Sequence, residues 1–237
     1  MAKTINGIKV GSTTISASFT DGGVTKTASA SIEVVKAAGS VSTVPVNKNA
    51  VYGSGSALCS AGSGTGTMMY RVGSTGNFSS TIPTTSGLNA GTYTLYYYAA
   101  ESDSYNQSST GSISVTVAQK EVGLSWGAST WTYDGSTHST TCSAGNLVSG
   151  DSCTVTLEGN SVGKNVGSQT VTATSLSNSN YKLPSSKTKT ISITAREVTL
   201  TWGTTSWVYD GNPHSTTCVV SNLVPGTLVQ LYFQEIQ

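Results

Sequence analysis

The sequence predicts an all-β chain made of small two-layer sandwiches in tandem. Apolar residues alternate with Thr and Ser at a period of two. Turn residues punctuate the alternating runs. A long tract recurs further along the chain. No stretch of the 237 residues shows a helical period of 3.6.

The alternation is clearest in five runs. Thr13, Ile15, Ala17 and Phe19 share one parity, and Ile113, Val115 and Val117 share another. Cys153, Val155 and Leu157 face opposite Thr154 and Thr156. Val171 and Ala173 sit between Thr170, Thr172 and Thr174, while Ile191 and Ile193 sit between Thr190, Ser192 and Thr194. This is the pattern of antiparallel sheet with one apolar and one wet face. Asp21-Gly22-Gly23, Gly73-Ser-Thr-Gly76, Asn89-Ala-Gly91 and Ser149-Gly-Asp151 separate the runs as turns.

The repeat sets the domain plan. Glu121-Val-Gly-Leu-Ser-Trp-Gly-Ala-Ser-Thr-Trp-Thr-Tyr-Asp-Gly135 returns as Glu197-Val-Thr-Leu-Thr-Trp-Gly-Thr-Thr-Ser-Trp-Val-Tyr-Asp-Gly211, 76 residues on. His138-Ser-Thr-Thr-Cys142 and His214-Ser-Thr-Thr-Cys218 continue the match. Two tryptophans, a Tyr-Asp-Gly and a His-Ser-Thr-Thr-Cys in one register point to duplicated modules. The expected division is 1–37, the last strands of one module; 38–119, a module of its own; 120–195, a third; and 196–237, a shortened copy of the third. A shortened sandwich would expose strand edges and part of its apolar face, so 196–237 is expected either to order poorly alone or to accept a strand from another chain.

Composition excludes several function classes. Only 10% of residues are charged and the net charge is +1, against roughly 25% charged in a typical soluble domain. The 12 Lys and Arg are spread along the chain, so no basic face for nucleic acid is expected. No apolar run approaches the ~20 residues of a membrane span. Met1-Ala-Lys-Thr-Ile-Asn-Gly7 lacks the apolar stretch of a signal peptide. The 11 Tyr and 3 Phe argue against simple disorder.

Asn89-x-Gly91-x-Tyr93-x-Leu95 has the spacing of the tyrosine corner of immunoglobulin-like sandwiches, with Leu95 at the usual cysteine position. Asn165-x-Gly167-x-Gln169-x-Val171 is a degenerate version. The fold class expected is therefore all-β, with tandem small immunoglobulin-like β-sandwich modules.

Three groups of tracts add a resemblance. Thr67-Met-Met-Tyr-Arg71, Ile82-Pro-Thr84 and Asn89-Ala-Gly-Thr-Tyr-Thr-Leu-Tyr-Tyr97 resemble immunoglobulin-like repeats of large surface proteins of gut bacteria. Trp131-Thr-Tyr-Asp-Gly135 and Asn165-Val-Gly-Ser-Gln-Thr-Val171 are similar to the MBG, or YDG-type, repeats of surface adhesins. Val10-Gly-Ser-Thr-Thr-Ile-Ser-Ala-Ser-Phe-Thr20 and Lys26-Thr-Ala-Ser-Ala30 resemble the end of a Big2 domain. The resemblance implies extracellular stalk or adhesion modules on a bacterial surface, with host glycans, mucin or other surface proteins as partners. The alternative is a phage virion structural or decoration protein. It implies no catalytic residue and no cofactor, and the chain is not expected to be an enzyme.

The chemistry-bearing residues fit that expectation. Cys142 and Cys153 flank a turn-rich segment with the same inward parity, which leaves a disulfide open. Cys218 matches Cys142, but Val229 stands where Cys153 would, so small buried hydrophobes are the other reading. His138 and Cys142 are four residues apart, about 13 Å on a strand, too far to share a proton or a metal ion. Gly62-Ser-Gly-Thr-Gly-Thr67 superficially resembles a phosphate loop but lacks the Gly-Lys-Ser/Thr ending, so no phosphate cofactor is expected. No metal site is expected, because there is no Cys-x-x-Cys and carboxylates are sparse. Asn77-Phe-Ser79 and Asn106-Gln-Ser108 match the glycosylation pattern. Tyr96 and Tyr98 share one face of their strand and Tyr93, Leu95 and Tyr97 the other. The Tyr96/Tyr98 face either packs against cross-strand neighbours, the preferred reading, or offers an aromatic stripe for sugar or protein.

Overall fold

The computed structural model describes residues 4, 6, 7 and 9–234; the extreme ends of the expected 1–37 and 196–237 segments lie outside the described residues. All regular structure among the described residues is β-strand, and none is helix. The chain divides into two compact units.

The first unit covers Met1–Lys120 and takes in Ser179–Tyr181. It opens with a ribbon of β1 (Gly11–Asp21) and β2 (Val24–Val34), antiparallel from Gly11↔Val34 to Asp21↔Val24. Gly22 and Gly23 form the two-residue turn with φ of 54° and 83°. Two positive φ values in succession suit glycine, which has no Cβ to clash. The alternation in β1 leads to no core here. Phe19 is 69% exposed, and Val24 and Ile32 are exposed too. A two-stranded ribbon has only one layer, and alternation buries a face only where a second layer covers it.

The rest of the unit comprises β3 (Val41–Thr43), β4 (Ala50–Val51), β5 (Ser63–Gly64), β6 (Met68–Val72), β7 (Gly91–Ala99) and β8 (Gly111–Ala118). One sheet runs β4-β8-β7-β6, and β3 pairs with β5. The long strands β7 and β8 are antiparallel, with Leu95 opposite Ile113. The short β4 lies parallel to β8, with Ala50 opposite Val117. Leu58, Cys59, Leu95, Ala99 and Val115 are fully buried and form the core with Tyr70, Tyr97 and Val117. Tyr70 buries its ring, and its hydroxyl accepts the Gly62 N–H at 2.9 Å. Within this unit Asn180 Oδ1 accepts the Ala90 N–H at 2.7 Å, and the ring of Tyr181 meets that of Tyr52 edge-on at 5.6 Å.

The second unit covers Glu121–Asn178 and Lys182–Gln237. The short strands β9 (Lys120–Glu121) and β17 (Tyr181–Lys182) pair with each other. Between them lie β10 (Gly123–Trp126), β11 (Thr130–Thr132), β12 (His138–Ser139), β13 (Cys142–Gly145), β14 (Val155–Glu158), β15 (Ser161–Val162) and β16 (Gly167–Leu176). The strand β18 (Thr188–Thr194) follows them. The main sheet runs β11-β18-β16-β14, with smaller pairs β10–β13 and β12–β15. Again a short early strand runs parallel to the last one: Trp131 of β11 stands opposite Ile193 of β18. Val162, Val171, Ile191 and Ile193 form a buried core lined by Trp126, Trp131, Tyr133 and Leu157.

The repeated tract folds locally as its parent does. The last two strands, β19 (Thr199–Trp202) and β20 (Cys218–Ser221), pair with Trp202 opposite Cys218, as Trp126 stands opposite Cys142. The Gly203 N–H donates to the Thr217 carbonyl at 2.8 Å, as Gly127 does to Thr141 at 2.9 Å. Asn222 takes a φ of 64° and Asn146 one of 63°. What differs is cover. Tyr133 packs on a core, whereas its counterpart Tyr209 is 94% exposed. Val208, Leu228, Tyr232 and Phe233 are exposed as well.

Candidate contact surface

The outer face of β6 and β7 gathers the unusual side chains of the first unit. In β7 the parity sends Leu95, Tyr97 and Ala99 into the core and leaves Tyr96 and Tyr98 half-buried on the other side. The β6–β7 register sets Arg71 opposite Tyr96 and Met69 opposite Tyr98. Ser79 then exchanges two backbone hydrogen bonds with Tyr70, at 2.8 and 3.0 Å. Continuing that antiparallel register places Phe78 opposite Arg71. The outcome is a cross-strand row, Phe78–Arg71–Tyr96, with Tyr98 beside it.

The row is packed through its rings. The Arg71 guanidinium carbon lies 4.4 Å from the centre of the Phe78 ring and 5.3 Å from that of Tyr96. Both distances are within the ~6 Å reach of a cation–π contact. Phe78 also meets Tyr98 edge-on at 4.8 Å and 71°. Arg71 Nη1 donates to the Gly76 carbonyl at 3.3 Å. Its Nε is buried without a hydrogen-bond partner, and no ion pair among the described residues includes Arg71. A groove beside β6 is lined by polar residues that include Arg71, Thr75 and Asn77 and by apolar ones that include Val72, Ile82 and Leu88.

Sequence reasoning found Tyr96 and Tyr98 but missed Arg71 and Phe78. Alternation within Met68–Val72 carried a signal for Arg71, since it has the opposite parity to the buried Met68 and Tyr70. Nothing local marked Phe78, because its place depends on the long-range Ser79–Tyr70 pairing. The ring of Tyr98 has Phe78 as its neighbour. The Tyr93 hydroxyl donates to the Asn89 carbonyl at 2.9 Å, the bond that the Asn89–Leu95 spacing led one to expect.

Cysteines 59, 142, 153 and 218 are free thiols. Cys59 is fully buried, and the others are half-buried. Burial pushes the thiols of Cys59 and Cys142 up, with Lys48 partly opposing this at Cys59. Thiols so placed are poor nucleophiles. Cys142 and Cys153 do share the inward parity, but Ser143 pairs with Thr154. That register sets Cys142 opposite Val155 and Cys153 opposite Ala144. The two cysteines are then diagonal neighbours, about 7–8 Å apart, beyond the usual Cα separation of a disulfide.

His138 is paired with a carboxylate and a ring rather than with Cys142. Its Nε2 lies 3.0 Å from Asp134 Oδ1, and its ring stacks on Trp131 at 5.1 Å and 14°. His214, Asp210 and Trp207 repeat the arrangement, at 2.9 Å and at 5.4 Å and 13°. Asp134 also accepts the Ser136 N–H at 2.8 Å, so Tyr133-Asp-Gly135 is a turn tied by its own carboxylate. That N–H, and after it the His138 ring, hold the Asp134 carboxyl below its ordinary range. Among the described residues no three His, Cys, Asp or Glu side chains converge as metal ligands would.

The glycine tract serves packing. A Cβ on Gly64 would meet the Ser40 carbonyl at 2.7 Å, and one on Gly66 would meet the Ala100 carbonyl at 1.9 Å. No protein-family model, curated protein or solved structure matches the chain.

Proposed function

We propose that the chain is a non-catalytic run of immunoglobulin-like modules from an extracellular surface protein, of the Big2 and MBG kinds at 1–37 and from 120 onward. Its work is display and spacing, with weak multivalent contact to glycans or to other surface proteins. The observation that carries the contact role is the half-buried row Phe78–Arg71–Tyr96 with Tyr98 on an open sheet face. Aromatic faces flanked by hydroxyls suit sugar rings and protein side chains alike. Two further observations support the module reading. Both main sheets run from a short early strand to the last strand, in parallel, and then back through the chain. The Tyr93–Asn89 bond is the tie expected of a tyrosine corner.

The exposed apolar side chains of 196–234 support a second contact, in which another chain adds a strand to the copy. Repeated weak sites on one chain would gain avidity through effective concentration.

A mucin and glycan binding screen on the full chain tests the contact role. The triple variant Phe78→Ala, Tyr96→Ala, Tyr98→Ala should lose binding while its far-UV circular dichroism stays that of the parent. Full binding by a folded triple variant would move the contact role away from this face.

A further inference from the structure

We infer that the outer face of β6 and β7 takes a sugar bearing a carboxylate, with Arg71 as the residue that recognises the charge; this rests on the glycan contact proposed above. Arg71 is a cation without a counter-charge, since none of the ion pairs among the described residues includes it. Its Nε is buried and has no hydrogen-bond partner, so the terminal nitrogens are what an incoming anion meets; Nη1 also bonds the Gly76 carbonyl, and Nη2 has no partner among the described residues. A guanidinium in that state is stabilised by an anion close to it, more strongly at a half-buried site than in bulk water.

The surroundings select the class of anion. Phe78 and Tyr96 lie against the guanidinium at 4.4 and 5.3 Å, and Nη1 is tied to the Gly76 carbonyl at 3.3 Å. The side chain is therefore ordered before any ligand arrives, which removes part of the entropy cost of binding. A planar fork held in this way matches a planar carboxylate through parallel N–H···O bonds. Tyr98 beside the row adds an apolar surface for the C–H face of a sugar ring. The neighbouring groove sets hydroxyls and an amide from Thr75, Asn77 and Thr81 beside the apolar side chains of Val72, Ile82 and Leu88, which suits the two faces of a sugar ring. A bare anion would use only the first of these features, and a neutral sugar only the others.

Sialic acids and uronic acids both present this chemistry, so the test uses both. Binding of the full chain to sialyllactose and to oligogalacturonate is measured by titration calorimetry, each against its methyl ester, with lactose as a neutral reference. Each free acid that fits should bind about tenfold more tightly than its ester, which is about 1.4 kcal/mol, and the gap should shrink as salt rises. Arg71→Gln should close the gap between acid and ester, and Arg71→Lys should restore only part of it. The acid–ester comparison on the parent chain needs no variant to fold. A gap for one acid alone identifies the source and supports the inference. Equal binding of acid and ester overturns it and leaves glycan contact standing. Absence of binding to every sugar, lactose included, overturns both.

Discussion

Tyr93 packs its ring against the core of the first unit and sends its hydroxyl to the Asn89 carbonyl four residues upstream. Tyr93→Phe keeps the ring and removes the bond, so it should lower the unit's unfolding free energy by about 1 kcal/mol in urea. A loss near zero would make the bond incidental. Asp134 makes a different, pH-dependent contribution. Its carboxyl is held below its ordinary range by the Ser136 N–H and then by His138. A carboxyl with a depressed folded-state pKa contributes stability that is complete above its unfolded value, about 3.9, and is lost as pH falls through the lower folded value. The parent should thus melt higher than Asp134→Asn at neutral pH, and the difference should close below about pH 4. A difference that stays constant down to pH 2 would show that ionisation of Asp134 is not what supports the turn.

At the scale of elements, parity and register make separate demands. Parity is local: Val171 and Ala173 are buried between exposed or half-exposed threonines because successive strand residues face opposite ways. Register is a long-range property, and it accounts for the two cysteines. Cys142 and Cys153 share a face by parity, yet the Ser143–Thr154 pairing leaves them diagonal. The same distinction hid Phe78, which reaches Arg71 only because Ser79 pairs with Tyr70. The missing Lys separates the glycine tract from a phosphate loop, but its packing role depends on segments distant in sequence. A Cβ at Gly66 would stand 1.9 Å from the carbonyl of Ala100, the residue just past the end of β7. Gly66→Ala should therefore cost about 3 kcal/mol. Gly123→Ala, with nothing within 4 Å of the added carbon, should stay within about 0.5 kcal/mol. Thermal melts of both variants make the comparison.

For the whole molecule, the repeat at 76 residues is the organising fact. The second copy rebuilds the parent's short-range bonds: Trp202 opposite Cys218, Gly203 to Thr217, and Asp210 to His214 under the Trp207 ring. These bonds lie within the copy itself. Removing 196–237 should accordingly leave the melting temperature of the 120–195 stretch within about 4 °C, the shift expected of less than about 1 kcal/mol. A larger fall would mean that the two stretches share their stability.

The sequence by itself determined what a period and a turn can encode: strand instead of helix, the inward residues of each strand, the Gly22–Gly23 reversal, the Tyr93 tie and the duplicated Trp-Tyr-Asp-Gly-His pattern. Each is settled within a few residues by backbone sterics and side-chain alternation. The tertiary structure alone decided which strands became neighbours. It set β4 beside β8 and β11 beside β18, left Phe19 uncovered on a single-layer ribbon, and placed Arg71 between two rings. Strand pairing joins residues distant in sequence, and alternation says which way a side chain points but not what stands opposite it.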